Sequence, residues 1–201
     1  LMVLSATLSA IAWSDNVMDI GKDWLPGTIE YPPLAADLES GRTAVVFDVD
    51  TGTIVMEQAS TRVIPPASMT KLVTMALVFR HVASKGISLE SPVELPPESW
   101  SVNAPPRSSL MFLGRGQFCT WNDLLAGLAV SSGNDAAVAA AVNVAGSVAD
   151  FVDQMNALVI QLGLKETRFV EPSGYDARNR TTAREWAFLV HWYLKHYPEA
   201  L

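Results

Sequence analysis

Hydrophobic positions cluster in two short runs near residue 50, and together these runs predict a β-hairpin. The first run is Ala44-Val45-Val46-Phe47, the second is Thr53-Ile54-Val55-Met56, and Asp50-Thr51-Gly52 stands between them. Apolar runs rich in β-branched residues on either side of an Asp/Gly turn are typical of paired antiparallel strands. Two strands alone make only a marginal sheet, so we expect the strands that complete it to lie outside this chain.

After the hairpin the pattern becomes helical. Pro65-Pro66 interrupts the chain, and an apolar stretch then runs from Ser68 to Lys85 and stops at Gly86, which predicts a helix with a glycine after its end. Residues 87–118 are punctuated by proline and predict irregular structure. Three later helices, the last of them running to about His196, are predicted from a hydroxyl residue followed three positions later by an acid, as in a capping box. These pairs are Thr120 with Asp123, Ser147 with Asp150, and Thr182 with Glu185.

The amino-terminal residues 1–12 form a separate apolar segment. A bilayer-spanning helix needs about 20 residues, so this segment is too short to cross a membrane. It ends in Ala10-Ile11-Ala12, a small-x-small pattern of the kind that signal peptidase accepts, although no basic residue precedes it. We interpret residues 1–12 as a signal-peptide remnant and expect an exported protein whose residues 13–201 form one domain. A short buried strand or helix is the alternative.

Composition narrows the class of protein. Hydrophobic residues make up 49% of the 201 residues and charged ones 17%, which excludes a disordered chain, and the formal net charge of -7 argues against nucleic-acid binding. Cys119 is the single cysteine, so we expect no intrachain disulfide, and we interpret it as a small buried hydrophobe. We expect no metal and no cofactor.

Familiar nucleophile and metal motifs are missing from the sequence. It contains no G-x-S-x-G and no H-E-x-x-H motif, and all three histidines fall on predicted helices. His191 and His196 are five residues apart and do not share a ligand face, so we assign the histidines to surface or packing positions. A serine enzyme built on this chain therefore needs a base other than histidine.

Ser68-Met69-Thr70-Lys71 offers such a base. Residues three apart on a helix lie on the same face, so the Lys71 amine can reach the Ser68 hydroxyl. Lysine has a reference pKa of about 10.4, but burial and the positive end of a helix dipole both disfavour its charged form. Alone this spacing is a weak signal, because without further support a helix-cap serine followed by a surface lysine is the better explanation.

A Ser-x-Asn pattern supports the catalytic interpretation. It occurs at residues 14–16, 101–103 and 132–134. The first copy lies upstream of Ser68 beside the possible cleavage site, and the second lies in the proline-rich stretch. Ser132-Gly133-Asn134 instead separates two predicted helices, where a tight loop can direct both polar side chains into a cleft. We therefore choose the third copy.

These motifs resemble those of the penicillin-binding low-molecular-weight D-alanyl-D-alanine carboxypeptidases, which are serine peptidases of family S11. Residues 66–74 resemble the family's active-site serine signature and residues 131–136 its second motif. Residues 108–113, 162–169 and 181–185 also resemble family segments, in family order. The resemblance implies an α+β fold of the β-lactamase/transpeptidase (DD-peptidase) type, with a helical cluster and, in this chain, an incomplete antiparallel sheet.

The resemblance also implies a role for each motif residue. Ser68 would be the nucleophile that attacks a terminal D-Ala-D-Ala peptide of peptidoglycan, and Lys71 the general base. Ser132 would relay the proton to the leaving amine, and Gly133 and Asn134 would bind the substrate. Penicillin and other β-lactams would acylate Ser68. The expected location is the periplasm or the outer face of the bacterial cytoplasmic membrane.

One family motif has no counterpart here. The family carries Lys-Thr-Gly on an edge strand after the second motif, and no lysine of this sequence is followed by Thr-Gly or Ser-Gly. We therefore expect the chain to be a carboxy-terminally truncated piece with weak or no activity. A membrane-associating tail, if the parent has one, would also be absent.

Three alternatives remain open at this point. A D,D-endopeptidase would cut peptide cross-links with the same machinery. A class A β-lactamase would hydrolyse penicillin and needs a glutamate on a loop, for which Glu166 and Glu171 lack the expected Glu-x-x-Leu-Asn context. A non-catalytic binding module of the cell envelope would use neither Ser68 nor Lys71 for chemistry.

Overall fold

A computed structural model describes residues 42–198 of the chain. The proposed signal-peptide remnant and the Ser-x-Asn copy at 14–16 therefore lie outside the described residues. The strands are β1 (Ala44–Phe47), β2 (Ile54–Gln58), β3 (Val63–Ile64) and β4 (Thr181–Thr182). The α-helices are α1 (Lys71–Lys85), α2 (Trp121–Ala129), α3 (Asn134–Ala145), α4 (Val148–Gln161) and α5 (Ala183–His196).

The predicted hairpin is confirmed. Strands β1 and β2 pair antiparallel, with an irregularity in register between Val46 and Phe47. At the turn, the Asp48 carboxylate accepts a hydrogen bond of 2.8 Å from the Thr51 amide. Gly52 has φ +69°, a left-handed conformation that glycine adopts without steric cost, so the Asp/Gly signal correctly located the turn.

The helix after Pro65-Pro66 begins differently from the prediction. Residues Ala67–Thr70 form a turn of 3₁₀ helix, and the α-helix begins only at Lys71 and ends at Lys85, followed by Gly86 with φ +62°. Side chains at positions i and i+3 eclipse each other in a 3₁₀ helix. Ser68 and Lys71 are therefore brought onto one side by a tighter turn than the α-helical one we expected.

The three predicted caps are all present. The Thr120 side chain accepts from the Asp123 amide while the Asp123 carboxylate accepts from the Thr120 amide at 2.9 Å, a complete capping box at the start of α2. The Ser147 hydroxyl caps α4 by accepting from the Asp150 amide, and the Thr182 hydroxyl caps α5 by accepting from the Glu185 amide. Each of these helices consequently begins where the sequence pattern placed it.

The core lies among the helices. Helix α3 is lined by alanines that are 0% exposed, and such small side chains allow the neighbouring helices to approach its backbone closely. The largest fully buried side chains around it come from the other four helices and from the segment before β4, and they include Phe151, Phe169, Leu77, Leu124 and Leu189. This arrangement of helices with small antiparallel sheets is the α+β fold that the sequence predicted.

A second, smaller sheet was not predicted. Strands β3 and β4 pair antiparallel through two residues each and join the chain before α1 to the chain before α5. Strands this short carry no periodicity that a sequence pattern can reveal. Within residues 42–198, no single helix is long and apolar enough to cross a membrane; α3 and α4 meet the length and composition criteria only together, and they are bent by 85°.

Candidate active site

The first two predicted site residues lie in contact at the start of α1. The Lys71 Nζ atom is 3.4 Å from the Ser68 Oγ atom. Ser68 is exposed, whereas Lys71 is only 2% exposed. A solvent-accessible hydroxyl next to a buried amine is the arrangement that the Ser-x-x-Lys interpretation requires.

Two further acceptors hold the amine. Lys71 Nζ donates to the Asn134 Oδ1 atom at 2.8 Å and to the backbone carbonyl of Ser173 at 2.7 Å. With Ser68, these groups give the three hydrogens of an ammonium three acceptors. The contacts from Asn134 and Ser173 are shorter than the one to Ser68, so they fix the position of the amine relative to the hydroxyl.

Burial of Lys71 changes its proton affinity. Removal from water disfavours the charged form and lowers the pKa from 10.5 to about 8, while the nearby carboxylates of Glu171 and Asp135 act in the opposite direction. An amine with a pKa of about 8 is neutral in roughly a tenth of the molecules at pH 7 and in about half of them at pH 8. Lys71 can therefore act as a proton acceptor under conditions in which an ordinary lysine stays charged.

The second motif reaches Lys71 through a loop that is held by several hydrogen bonds. Gly133 precedes α3, and the Asn134 amide donates to the Ser109 carbonyl at 2.8 Å. A Cβ at Gly133 would lie 2.8 Å from an Asp135 carboxylate oxygen, so only glycine fits here. The Asp135 carboxylate in turn accepts from the Met111 and Leu113 amides at 2.9 and 3.0 Å. This bonding orients Asn134 towards the amine.

Ser132 and the Ser-x-Asn copy at residues 101–103 differ in their local structure and contacts. Ser132 is half-buried and has φ +54°, the left-handed region that is rare for serine, in the turn that leads into Asn134. Its role as a proton relay stays a prediction. Residues Ser101–Asn103 form a separate 3₁₀ turn, in which the Asn103 side chain donates to the Pro97 carbonyl at 2.7 Å. The choice of the third copy therefore agrees with the contact that Asn134 makes.

Residues 30–201 match the sequence model of the peptidase S11 family, described as D-alanyl-D-alanine carboxypeptidase. The chain is a member of peptidase family S11. The expected resemblance is thereby confirmed for the family as a whole.

Individual relatives agree with this S11 membership. The chain is 36% identical over 169 residues to the D-alanyl-D-alanine carboxypeptidase DacD of Escherichia coli, covering 83% of this chain and 43% of that protein. It is 35% identical over 158 residues to a D-alanyl-D-alanine endopeptidase of Pseudomonas aeruginosa, covering 79% of this chain and 48% of that protein. The S11 chain thus spans less than half the length of these two curated relatives.

Solved structures support the same fold. Penicillin binding protein 5 from Haemophilus influenzae superimposes with a TM-score of 0.76 at 33% identity, covering 86% of this chain and 49% of that chain. This similarity confirms the predicted DD-peptidase type of fold for the S11 chain.

One wall of the S11 site was not anticipated from the sequence. Besides the Ser173 carbonyl on Lys71, the Pro172 carbonyl accepts from the Thr74 hydroxyl at 2.7 Å. Gly174 has φ +83°, and a Cβ there would overlap the carbonyl oxygen of Ala67, so this backbone packs directly against the peptide preceding Ser68. Pro172-Ser173-Gly174 reads as a turn in the sequence, but nothing in the pattern links it to a site about a hundred residues earlier.

The histidines and the cysteine have packing roles, as predicted. His81 lies 5.4 Å from the Trp121 ring, His191 contacts Phe47 edge-on, and His196 stacks on Trp192. Cys119 is buried, and burial raises the pKa of its thiol to about 11, which makes it a poor nucleophile. Within the described part of this S11 chain, no group of three or more His, Cys, Asp or Glu residues could hold a metal ion.

Proposed function

We propose that the protein carrying this chain is a serine-type D-Ala-D-Ala carboxypeptidase that acts on peptidoglycan stem peptides through an acyl-enzyme on Ser68. One observation carries the proposal: a buried amine with a lowered pKa lies 3.4 Å from an exposed serine hydroxyl, and an asparagine of the second motif holds it there. The S11 membership and the names of the relatives supply the substrate class.

Acylation begins with transfer of the Ser68 hydroxyl proton to neutral Lys71. The Oγ atom then attacks the carbonyl carbon of the penultimate D-alanine, and a tetrahedral oxyanion forms. The backbone N–H of Ser68 is one proposed donor to this oxyanion, a kind of contact worth about 2.7–4 kcal/mol of transition-state stabilisation. The distance of 3.4 Å is long for a hydrogen bond, and such contacts in free enzymes tighten when substrate binds.

The second motif assists departure of the leaving group. Collapse of the tetrahedral intermediate breaks the peptide bond, and the amine of D-alanine takes up a proton that originates on Lys71 and passes through Ser132. We assign Asn134 and Gly133 to substrate binding, with the asparagine amide binding the substrate backbone. Water then attacks the acyl carbonyl, releases the shortened peptide and restores Ser68.

Penicillin labelling tests this proposal directly. A fluorescent penicillin should attach covalently to the protein that carries this chain, and mass spectrometry should place the adduct on Ser68. Ser68→Ala should abolish labelling, whereas Ser84→Ala, which changes an exposed serine near the end of α1, should leave it intact. Labelling that survives in Ser68→Ala would assign the acyl group to another residue, and an unlabelled wild-type protein would favour a non-catalytic envelope module.

A D,D-endopeptidase is the second candidate, because one relative at 35% identity carries that name. The two activities use the same acylation chemistry and differ in the peptide that they accept. A soluble pentapeptide ending in D-Ala-D-Ala and a cross-linked muropeptide dimer should be compared at equal concentration. We expect faster release of D-alanine from the pentapeptide, and preferential cleavage of the dimer would reverse the assignment.

The proposed substrate also sets the proposed location. Peptidoglycan lies outside the cytoplasmic membrane, so the enzyme would act in the periplasm or on the outer membrane face. Cell fractionation followed by penicillin labelling checks this expectation, since the label should be found in the exported fraction.

A further inference from the structure

A half-buried carboxylate organises the loop that faces Lys71. We define the 171–179 loop as residues Glu171 to Asn179. The Glu171 Oε2 atom accepts from the Ser173 amide at 2.8 Å and from the Ser173 hydroxyl at 2.5 Å. Its Oε1 atom accepts from the Gly174 amide at 2.6 Å and from the Asn179 side chain at 2.8 Å. One side chain thus fixes both ends of the loop.

These bonds determine where the Ser173 carbonyl points. The Ser173 amide and hydroxyl both donate to Glu171, which restrains the residue, and its carbonyl is directed at the Lys71 amine, 2.7 Å away. Gly174 follows and abuts the backbone of Ala67, leaving no space for the loop to move towards the serine. Glu171 therefore acts on the amine through Ser173.

The loop is also anchored to the turn that carries the nucleophile. The Asn179 side chain is 0% exposed and donates to the Thr70 hydroxyl at 3.3 Å as well as to Glu171. Thr70 lies between Ser68 and Lys71 on the chain. Glu171, Asn179 and Thr70 therefore form a hydrogen-bonded connection from the 171–179 loop to the Ser68 turn, fully buried at Asn179 and Thr70.

We propose that Glu171 is a positioning residue of the reaction: its carboxylate holds the Ser173 carbonyl on the Lys71 amine and thereby keeps that amine beside the Ser68 hydroxyl. This inference rests on the acylation proposed above. It assigns no contact with substrate to Glu171.

Glu171 is not placed to activate a water molecule. An ionised carboxylate has about four lone-pair sites, and four donors already occupy those of Glu171. The glutamate of a class A β-lactamase activates the water that hydrolyses the acyl-enzyme. Glu171 should accordingly affect formation of the acyl-enzyme and leave its hydrolysis unchanged.

The charge of Glu171 provides a second readout. Two carboxylates, Glu171 and Asp135, raise the proton affinity of Lys71 against the effect of burial. Loss of the Glu171 charge should lower the pKa of Lys71 further. If neutral Lys71 is the base, the rise of the acylation rate with pH should then occur at a lower pH. An unfolded fraction of the variant would lower the rate at every pH but would not move this midpoint.

The experiment compares Glu171→Gln with Glu171→Asp and Glu166→Gln in the protein that carries this chain. Glutamine has the same shape as glutamate, but its NH₂ group faces N–H donors and it carries no charge. Glu166 is an exposed glutamate five residues upstream and serves as the matched control. The second-order rate of acylation by fluorescent penicillin is measured from about pH 6 to 10, together with the release rate of the label and the thermal unfolding midpoint.

We expect Glu171→Gln to lower the plateau rate about tenfold and to move the midpoint of the pH profile down by about half a unit or more. Its release rate should equal that of the wild type. Glu171→Asp should keep the wild-type midpoint because it keeps the charge. Its plateau rate should lie between those of the wild type and Glu171→Gln. Glu166→Gln should match the wild type throughout.

Several outcomes would overturn the positioning role. A Glu171→Gln variant with an unchanged midpoint and a plateau reduced only by its unfolded fraction would mean that Glu171 is merely structural. Selective slowing of label release would instead make it the base for deacylation. If Glu171→Gln yields no folded protein, a Glu171→Asp variant with the wild-type plateau refutes the role. A wild-type protein that never takes the label refutes the proposed acylation itself, which separates that failure from this one.

Discussion

The helical cluster and the β1–β2 hairpin differ in how fully each is covered by other parts of the structure. Helix α3 buries its alanines completely between neighbouring helices, whereas Val46 and Val55 of the hairpin are 49% and 37% exposed. All three acceptors around the Lys71 amine come from the helices or from the segments that join them. The hairpin is tied to α5 by the Arg184–Glu57 ion pair and by the contact of Phe47 with His191.

This difference in burial means that the helical cluster and the hairpin contribute differently to stability and to chemistry. Burial in the helical cluster both stabilises the fold and lowers the pKa of Lys71, so stability and chemistry share the same residues. The hairpin adds surface that the helices only partly cover. Substitutions in the two regions should therefore differ in size and in kind, and four predictions follow from this contrast.

The largest effect should come from Lys71→Met. Methionine is of similar length and suits a buried position, but it provides no proton acceptor, so the acylation rate should fall by about a hundredfold or more. The rate of labelling by fluorescent penicillin measures this loss. Lys85→Met, at the other end of α1, should change the rate less than twofold. A Lys71→Met variant that is labelled as fast as the wild type would remove lysine from the mechanism.

The next largest effect should separate the two regions by stability. Leu124→Ala in α2 leaves a cavity in a fully buried position and should lower the free energy of unfolding by about 2–5 kcal/mol. Val46→Ala in β1 removes a side chain that is half exposed and should cost less than about 1 kcal/mol. Chemical denaturation of both variants gives the comparison. Equal losses would show that the hairpin is as tightly packed as the helices.

A third prediction concerns pH. With the pKa of Lys71 at about 8, roughly a tenth of the amine is neutral at pH 7, so acylation should become about tenfold faster between pH 7 and a plateau above pH 9. Stability should change in the same direction. The folded state loses this proton near pH 8 and the unfolded state near 10.5, so the cost of burying the ammonium disappears as pH rises between these values. A profile that is flat through pH 8 would contradict a neutral Lys71 base.

The smallest effect should come from the ion pair that joins the two regions. Arg184 and Glu57 are each more than one third exposed, and Arg184→Gln should lower the free energy of unfolding by only about 0.2–1 kcal/mol. Added salt should reduce this difference further, because exposed charges are screened. Arg115→Gln, an exposed arginine in the irregular segment, is the control and should have no measurable effect. A loss well above 1 kcal/mol would mean that this pair is central to holding the hairpin in place.

Local patterns in the sequence were sufficient to predict much of the molecule. The Asp/Gly turn, the glycine after α1 and the three helix caps involve residues within a few positions of one another, and each was found where predicted. The Ser68–Lys71 pair is also local. Its connection with Asn134, 63 residues from Lys71, needed the Ser-x-Asn pattern between two predicted helices and the resemblance to a family.

The remainder depends on contacts between distant parts of the chain. Strands β3 and β4 are two residues long and exist because the chain before α1 meets the chain before α5. The Ser173 carbonyl contributes a backbone atom, so no side-chain pattern indicates it as a ligand of the amine. Glu171 was noted only as a possible β-lactamase glutamate, and its four hydrogen bonds could not be foreseen from its neighbours.

The separation of 102 residues between Lys71 and the Ser173 carbonyl has a consequence for biosynthesis. During translation, Ser68, Lys71 and the Ser-Gly-Asn turn leave the ribosome before Ser173 does. At that stage the amine still lacks its third acceptor, the Ser173 carbonyl. Reactivity towards β-lactams should thus not arise before residues 171–179 have left the exit tunnel and docked. Covalent labelling of stalled nascent chains of increasing length would then report when this long-range contact has formed.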